Sequence, residues 1–138
     1  MGVESVEYEG IRYAEVIWAE TKVEKTTFFS PESSSFQFGL LAHKAGFKEP
    51  AHYHKPFERQ IKDLQQMFVV QRGVVAVELY NDGGRLLREI TLKQGDAIVL
   101  IHGVHAIRVL EDMQCISVKQ GPFLGTENDK IFVEVQDQ

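Results

Sequence analysis

Short runs in which apolar and polar residues alternate recur along the chain, and turn-forming residues separate them, as is typical of β-strands. The pattern predicts strands over residues 14–19, 23–29, 36–41, 52–54, 66–71, 74–80, 85–92, 97–101, 105–110, 115–119 and 131–135. The strongest predicted turn is Asn81-Asp82-Gly83-Gly84, because Asn or Asp before Gly supplies the positive φ of a tight hairpin. No long amphipathic helix is predicted, so we expect an all-β sandwich or barrel.

Composition narrows the class of protein. The chain has 138 residues, which suits a single domain over residues 1–138, and 43% of them are hydrophobic. Its 20 acidic and 15 basic residues argue against a nucleic-acid partner, which selects a basic surface. The only cysteine, Cys115, excludes an intrachain disulfide. No apolar run is long enough for a membrane span and no signal-peptide core is present, so we expect a cytoplasmic protein.

The pair His52 and His54 is the main candidate for chemistry. In an extended strand the side chains two residues apart point the same way, so both imidazoles would share one face and Tyr53 the other. Neutral imidazole is the commonest metal ligand, and two of them form half of a chelate. The alternative is a pair of solvated strand histidines. The candidate for a third ligand is His105.

Two separated motifs resemble the pattern of the cupin family. Five residues separate Gly46 from His52-Tyr53-His54, and Gly73 matches the glycine that closes the first motif. In the second motif, Gly95, Gly103 and His105 match. The resemblance covers residues 36–120. It implies a small jelly-roll-like β-barrel in which His52, His54 and His105 hold a divalent metal ion, whether Zn, Fe, Ni or Mn.

The chain departs from the cupin pattern at three places. Eleven residues follow His54 before the next motif position, so residues 55–65 form an insertion, and Ile101 replaces the usual proline. Gln66 stands where cupins usually carry a ligating glutamate. We expect Gln66 as a fourth, neutral ligand, or as a hydrogen-bond partner of a metal-bound water. Without a carboxylate, the uncompensated charge of the metal favours an anionic ligand at its open position.

Several other residues have secondary expectations. His102, His43 and Glu58 are weaker ligand candidates, and the loop over residues 55–64 is expected to border the mouth of the metal pocket. Cys115 is expected to be buried and inert. The expected barrel lining is Phe36, Phe38, Phe68, Val70 and Ile107.

The expected function is that of a small metal-binding cupin whose ligand is a small polar or anionic molecule. A three-histidine centre without glutamate resembles the cupin dioxygenases that use histidines alone. Two alternatives stay open: a non-catalytic ligand-binding or sensory cupin, and a sugar isomerase or epimerase-type cupin of polysaccharide pathways. The isomerase needs a general base, for which the candidates are His102, His43, Glu58 and Tyr80.

A homodimer is also expected. The apolar strand 14–19, which contains Trp18, has no evident place in a small barrel, and exposed strand edges invite pairing. We therefore expect the N-terminal strands, within residues 1–34, at the dimer interface.

Overall fold

A computed structural model describes residues 3–136, and the chain divides into two compact units. One unit contains residues 3–21 and 65–136, and the other is Lys22–Leu64. The elements in chain order are β1 (Val3–Tyr8), β2 (Ile11–Ile17), β3 (Thr27–Phe28), β4 (Gly39–Leu40), β5 (Gln66–Tyr80), β6 (Leu86–Leu92), β7 (Ala97–Leu100), β8 (Val104–Lys119) and a four-residue helix, α1 (Thr126–Asp129). The all-β prediction is confirmed for the described residues.

The larger unit is one curled, six-stranded antiparallel sheet in the order β1-β2-β7-β5-β6, with β8 paired to β5. The first residues of β5 pair with β7, from Gln66 opposite Leu100 to Val69 opposite Ala97. Its last residues pair with β6, from Val75 opposite Leu92 to Tyr80 opposite Leu86. On its other edge β5 pairs with β8 along its whole length. The curled sheet of this unit thus forms half of a barrel wall.

The β5–β8 ribbon bends at its middle, where the register shifts three times between Val70 and Val75. Gly73 lies in this bend with φ 86°, a conformation that other residues avoid. A Cβ atom there would collide with the carbonyl oxygen of Asp112 on β8. The sequence pattern predicted two short strands in place of β5 and two in place of β8. The reason is that a glycine and a bulge interrupt the alternation of apolar and polar residues.

The hydrophobic core of this unit comes from β2, β5, β6 and β7. Val16 and Ile98 have no exposed surface, and Val77 and Leu79 are almost as deeply buried. Strand β2 lies between β1 and β7, and Ala14 is also fully buried. The expectation that residues 14–19 lack a place in the sheet is therefore wrong. The homodimer, with the N-terminal strands within residues 1–34 at its interface, stays a prediction.

Two turns have their own side-chain hydrogen bonds, and the first of them confirms the turn predicted at Asn81 to Gly84. Asn81 Oδ1 accepts hydrogen bonds from the backbone N–H groups of Gly83 and Arg85, each at 3.0 Å. The carboxylate of Asp96 accepts from the N–H groups of Ala19 and Lys93, each at 2.8 Å. Asp96 is buried, and these bonds join the β6–β7 turn to the end of β2.

The smaller unit, Lys22–Leu64, has little regular structure. The strands predicted over 23–29 and 36–41 are reduced to the two-residue strands β3 and β4, which pair with each other. Phe38 is buried, and its N–H donates to Ser30 Oγ at 3.0 Å. The strand predicted over 52–54 is not formed, and residues 47–62 contain no regular structure. Pro50 and Pro56 remove backbone donors from this segment, which disfavours a ladder.

The end of the chain also differs from expectation. Residues 131–135 do not form the predicted strand, and a single bridge links Arg85 with Gln136. Among the described residues, no helix has the length and apolar character needed to cross a membrane.

Candidate functional site

His52 and His54 lie side by side in the smaller unit. Their ring centroids are 5.4 Å apart, with the ring planes at 79°. A tetrahedral zinc ion binds imidazole nitrogens at about 2.0–2.1 Å, which places the centroids of two ligating rings roughly 5 Å apart. Both side chains are exposed. The pair is therefore spaced as two ligands of one ion would be, although it is held by a loop and not by a strand.

A hydrogen bond sets the tautomer of His52. Its Nδ1 lies 2.9 Å from the carbonyl oxygen of Pro50. A carbonyl oxygen can only accept, so Nδ1 carries the hydrogen and donates it. In a neutral imidazole this leaves the lone pair on Nε2 free for a metal ion. Metal-ligating histidines commonly donate their second nitrogen to such a carbonyl.

A cavity of about 250 Å³ lies in the larger unit. Both arms of the bent β5–β8 ribbon contribute to it, with Phe68 and Ser117 from one arm and Val77 and Ile107 from the other. The ribbon thus folds around the cavity. The remaining lining residues are Val75, Leu92, Met113, Gln114 and Cys115.

Gln66 and His105 lie next to this cavity. Gln66 is two residues before Phe68 on β5, and His105 is two residues before Ile107 on β8. Because side chains two residues apart in a strand share a face, each lies on the same face as a lining residue. The side-chain Nε2 of Gln66 donates to Ser117 Oγ at 2.9 Å. His105 and Gln66 are not among the lining residues, but each lies on the same strand face two residues beyond one of them, His105 on β8 and Gln66 on β5.

The surroundings of His105 favour its neutral form. Packing around the ring withdraws it in part from water, although the residue as a whole stays exposed, and this lowers the pKa of His105 below 6.5. The positive charge of Lys130 lowers it further. A neutral imidazole is the form that binds a metal ion.

Cys115 is half-buried on the cavity wall. Burial raises the pKa of its thiol above 9.0. The thiol therefore stays protonated at neutral pH, which agrees with the expectation of an inert cysteine. Of the other expected lining residues, Phe68 and Ile107 line the cavity, Val70 and Phe38 are buried, and Phe36 is half-buried.

The structure does not assemble the full set of expected ligands. Among residues 3–136, no group of three or more His, Cys, Asp or Glu side chains is arranged to hold a metal ion. His52 and His54 belong to one compact unit, and His105 and Gln66 to the other. The three-histidine site therefore stays a prediction, and each unit carries its own part of it.

The weaker candidates lie elsewhere. The ring of His43 stacks on Phe47 with a centroid distance of 3.9 Å, so it has a packing role. Glu58 is exposed within the loop over residues 55–64, which has almost no regular structure. The position of this loop at a pocket mouth stays a prediction. Tyr80 is buried, and its hydroxyl donates to Glu78 Oε1 at 2.8 Å.

Sequence reasoning missed a second polar group, formed by Asp82 and His102. His102 Nε2 lies 3.0 Å from Asp82 Oδ2, and Tyr13 meets the His102 ring edge-on at a centroid distance of 5.2 Å. Burial, with Asp82 as a secondary cause, raises the pKa of Tyr13. Gly103 permits this arrangement, because a Cβ there would collide with the Tyr13 ring. His102 was visible in the sequence, whereas its partner required the fold.

Comparison of the chain with protein-family models, with curated proteins and with solved structures found no match.

Proposed function

We propose that this chain is a cupin-like, metal-dependent protein that binds one divalent metal ion and one small molecule. His52 and His54 supply two imidazole ligands, and His105 supplies the third. Gln66 contributes a neutral amide oxygen, either to the ion or to a water bound to it. A metal ion held in this way supplies a Lewis-acidic centre with an open position for a ligand.

The observation that carries this proposal is the paired geometry of His52 and His54. Their 5.4 Å ring separation matches the spacing of two ligands of one ion. The bond from His52 Nδ1 to Pro50 prepares the opposite nitrogen for coordination.

The cavity indicates the class of small molecule. Most of its lining is aliphatic or aromatic, and its polar side chains are Ser117 and Gln114. Such walls bind an apolar body, and His105 and Gln66, on the same strand face beyond the lining, suit a polar end. A dication ligated by neutral groups alone favours an anionic end. The proposed ligand is therefore a small molecule with an apolar body and a carboxylate or enolate head. A dioxygenase that oxidises such a compound is the preferred form of the activity.

The test is metal analysis of the purified protein before any chelator treatment, followed by oxygen uptake with a panel of small aromatic and aliphatic acids. We expect close to one transition-metal ion per chain and uptake with at least one acid. Protein that contains no metal, and that takes up none when Zn²⁺, Fe²⁺, Ni²⁺ or Mn²⁺ is supplied, would contradict the proposal.

The Asp82–His102 pair supports isomerase or epimerase chemistry as a second candidate. Asp82 accepts the hydrogen on His102 Nε2, which leaves Nδ1 of a neutral ring as a proton acceptor. A base oriented in this way is what proton abstraction beside a carbonyl requires. Incubation of keto-sugar nucleotides in D₂O distinguishes the candidates. Solvent deuterium enters the sugar only with an isomerase, and His102→Gln abolishes this exchange while metal binding remains.

A further inference from the structure

The face of the β5–β8 ribbon that lines the cavity continues beyond the lining at both ends of β8. At one end, Lys119 lies two residues beyond the lining residue Ser117 and directly opposite Gln66. Cross-strand partners share a face, so Lys119 is on the cavity-facing side. At the other end, His105 precedes the lining residue Ile107 on the same face. A polar residue of β8 thus lies at each end of the apolar lining.

The C-terminal segment, residues 120–136, is anchored near both ends of this face. Asp129 Oδ2 lies 3.2 Å from Lys119 Nζ, in an ion pair that leaves the Asp129 side chain only 13% exposed. Further along, the backbone N–H of Gln136 donates to the carbonyl oxygen of Gly84 at 2.8 Å. Gly84 is in the turn that follows β5, whose last residues pair with the beginning of β8. The stretch between these anchors therefore crosses from one arm of the ribbon to the other, and it starts on the cavity-facing side.

Lys130 is the first residue of this crossing stretch. Its backbone N–H donates to the carbonyl oxygen of Thr126 at 3.0 Å, which closes helix α1 and holds Lys130 beside Asp129. Its side chain is exposed, and within residues 3–136 its ammonium has no ion-pair partner. Burial is the main cause of the lowered pKa of His105, and the positive charge of Lys130 is the second. Lys130 therefore brings an unneutralised positive charge to the His105 side of the cavity.

Lys119 is less suited than Lys130 to bind an anion, although it lies at the end of the same face. Its charge is offset by Asp129, and its ammonium lies 5.3 Å from the centre of the Phe123 ring. An anion at Lys119 would have to displace a carboxylate that is already in place and largely withdrawn from water. An anion at Lys130 breaks no ion pair.

We propose that Lys130 selects an acid as the ligand: its ammonium binds the carboxylate of a small molecule whose apolar body occupies the cavity. The lining is mostly apolar and its volume of about 250 Å³ accommodates a single-ring acid such as benzoate. A hydrogen bond between an ammonium and a carboxylate is strengthened by both charges. This inference rests on the proposed ligand-binding function, to which it adds the residue that distinguishes an acid from a neutral molecule of the same shape.

The test compares benzoate with benzyl alcohol, a neutral ligand of similar shape. Binding to chelator-treated protein is followed by NMR through the signals of the cavity residues Phe68 and Ile107. Lys130→Gln should weaken benzoate binding about tenfold, because a charged hydrogen bond is lost, and should change benzyl alcohol binding by less than about twofold. Lys130→Arg should retain benzoate binding, since it keeps the charge. Lys93→Gln, which removes another lysine of the same compact unit, should behave as wild type.

Three results would overturn the inference. They are the absence of benzoate binding in wild type, equal benzoate affinity in wild type and Lys130→Gln, and a parallel loss of benzoate and benzyl alcohol binding, which indicates a structural role. Because the protein is stripped of metal, none of them depends on the metal site. A Zn²⁺ titration separates the two proposals: Lys130→Gln should bind Zn²⁺ at least as tightly as wild type, because an ammonium repels a dication. Wild-type protein that binds benzoate through Lys130 but no Zn²⁺ would contradict the metal site and support the role of Lys130.

Discussion

The side-chain amide of Gln66 donates a hydrogen bond from Nε2 to Ser117 Oγ over 2.9 Å. This bond fixes the amide nitrogen and leaves its oxygen as the group available for a ligand. Ser117 lines the cavity, so the bond also links Gln66 to the cavity wall. Gln66 is thus a positioned neutral group next to the wall of the cavity.

Replacing Gln66 with glutamate should therefore tighten metal binding. A carboxylate brings a full negative charge to the dication, and Ser117 can donate its hydroxyl hydrogen to it in place of the lost bond. We expect about a tenfold lower dissociation constant for Zn²⁺, equivalent to roughly 1.4 kcal/mol, and weaker binding of anionic ligands. Isothermal titration measures both. Gln71→Glu, at an exposed position of the same strand, controls for added charge. Unchanged metal affinity in Gln66→Glu would place Gln66 away from the metal.

The stability of the metal-free protein should depend on the protonation of His105. Its pKa is lowered in the folded protein, so the unfolded chain binds the proton more readily. The stabilising contribution is fully present above pH 6.5 and is lost as the pH falls through the folded-state pKa. Urea unfolding of chelator-treated protein between pH 7.5 and 5 should show this slope, and His105→Gln should reduce it. Identical slopes in the two proteins would contradict the assignment.

Lys130 offers a separate check on the same group, because its positive charge lowers the pKa of His105 as a secondary cause. Lys130→Gln should raise that pKa while leaving it below 6.5, since burial remains the larger cause. Titration of the His105 ring signals by NMR measures the change. Lys93→Gln, in the same compact unit, is the charge-matched control, because the charge of Lys93 is not a cause of the lowered pKa of His105. A pKa of His105 that stays the same in Lys130→Gln would rule out this electrostatic contribution.

Substituting Gly73 with alanine should destabilise the bent ribbon. Gly73 and Gly10 both have positive φ, at 86° and 77°, so alanine at either position costs about 1–2 kcal/mol in backbone strain. At Gly73 the new Cβ also collides with the Asp112 carbonyl, whereas at Gly10 it meets no atom within 4 Å. We expect a loss of more than about 3 kcal/mol for Gly73→Ala and about 1 kcal/mol for Gly10→Ala in urea unfolding. Equal losses would show that the β5–β8 contact is looser than described.

Truncating Leu92 should enlarge the cavity at a measurable cost. Leu92 is fully buried and lines the cavity beside its cross-strand partner Val75. Leu92→Ala should lower the free energy of unfolding by about 2–5 kcal/mol, and half-buried Leu86→Ala by less. Urea denaturation provides the comparison. A cost for Leu92→Ala no larger than that for Leu86→Ala would argue against this wall of the cavity.

Much of the strand content was predicted correctly from the local pattern of apolar and turn-forming residues. Val75, Val77 and Leu79 alternate on β5, and the residues of Asn81 to Gly84 make the bonds expected of their turn. Two errors have a shared cause. Gly73 suggested a break although β8 pairs across it, and residues 131–135 alternate although they form no strand and only the next residue, Gln136, makes a bridge. A strand depends on a partner, which periodicity cannot reveal.

The candidate site, like the strands, could be predicted from the sequence only in part. His52 and His54 were identifiable because spacing is a local property, but their loop conformation was not. The cavity could be recognised only from the fold, because the bend of the ribbon brings Phe68 and Ile107 into one lining. The contact of His102 with Asp82 also depends on the fold, because the two residues lie in different turns. These contacts join residues that are distant in the sequence, so they cannot be predicted from the sequence alone.

Metal titration of chelator-stripped protein tests the central claim, that His52 and His54 hold a metal ion, most directly. Wild-type protein, His54→Ala and the control His43→Gln are compared by calorimetry with Zn²⁺. His43 is a second histidine of the same unit, whose ring stacks on Phe47. We expect one tight site in wild type and in His43→Gln, and a loss of at least about 100-fold in His54→Ala because a strong ligand is missing. Wild-type affinity in His54→Ala would contradict it.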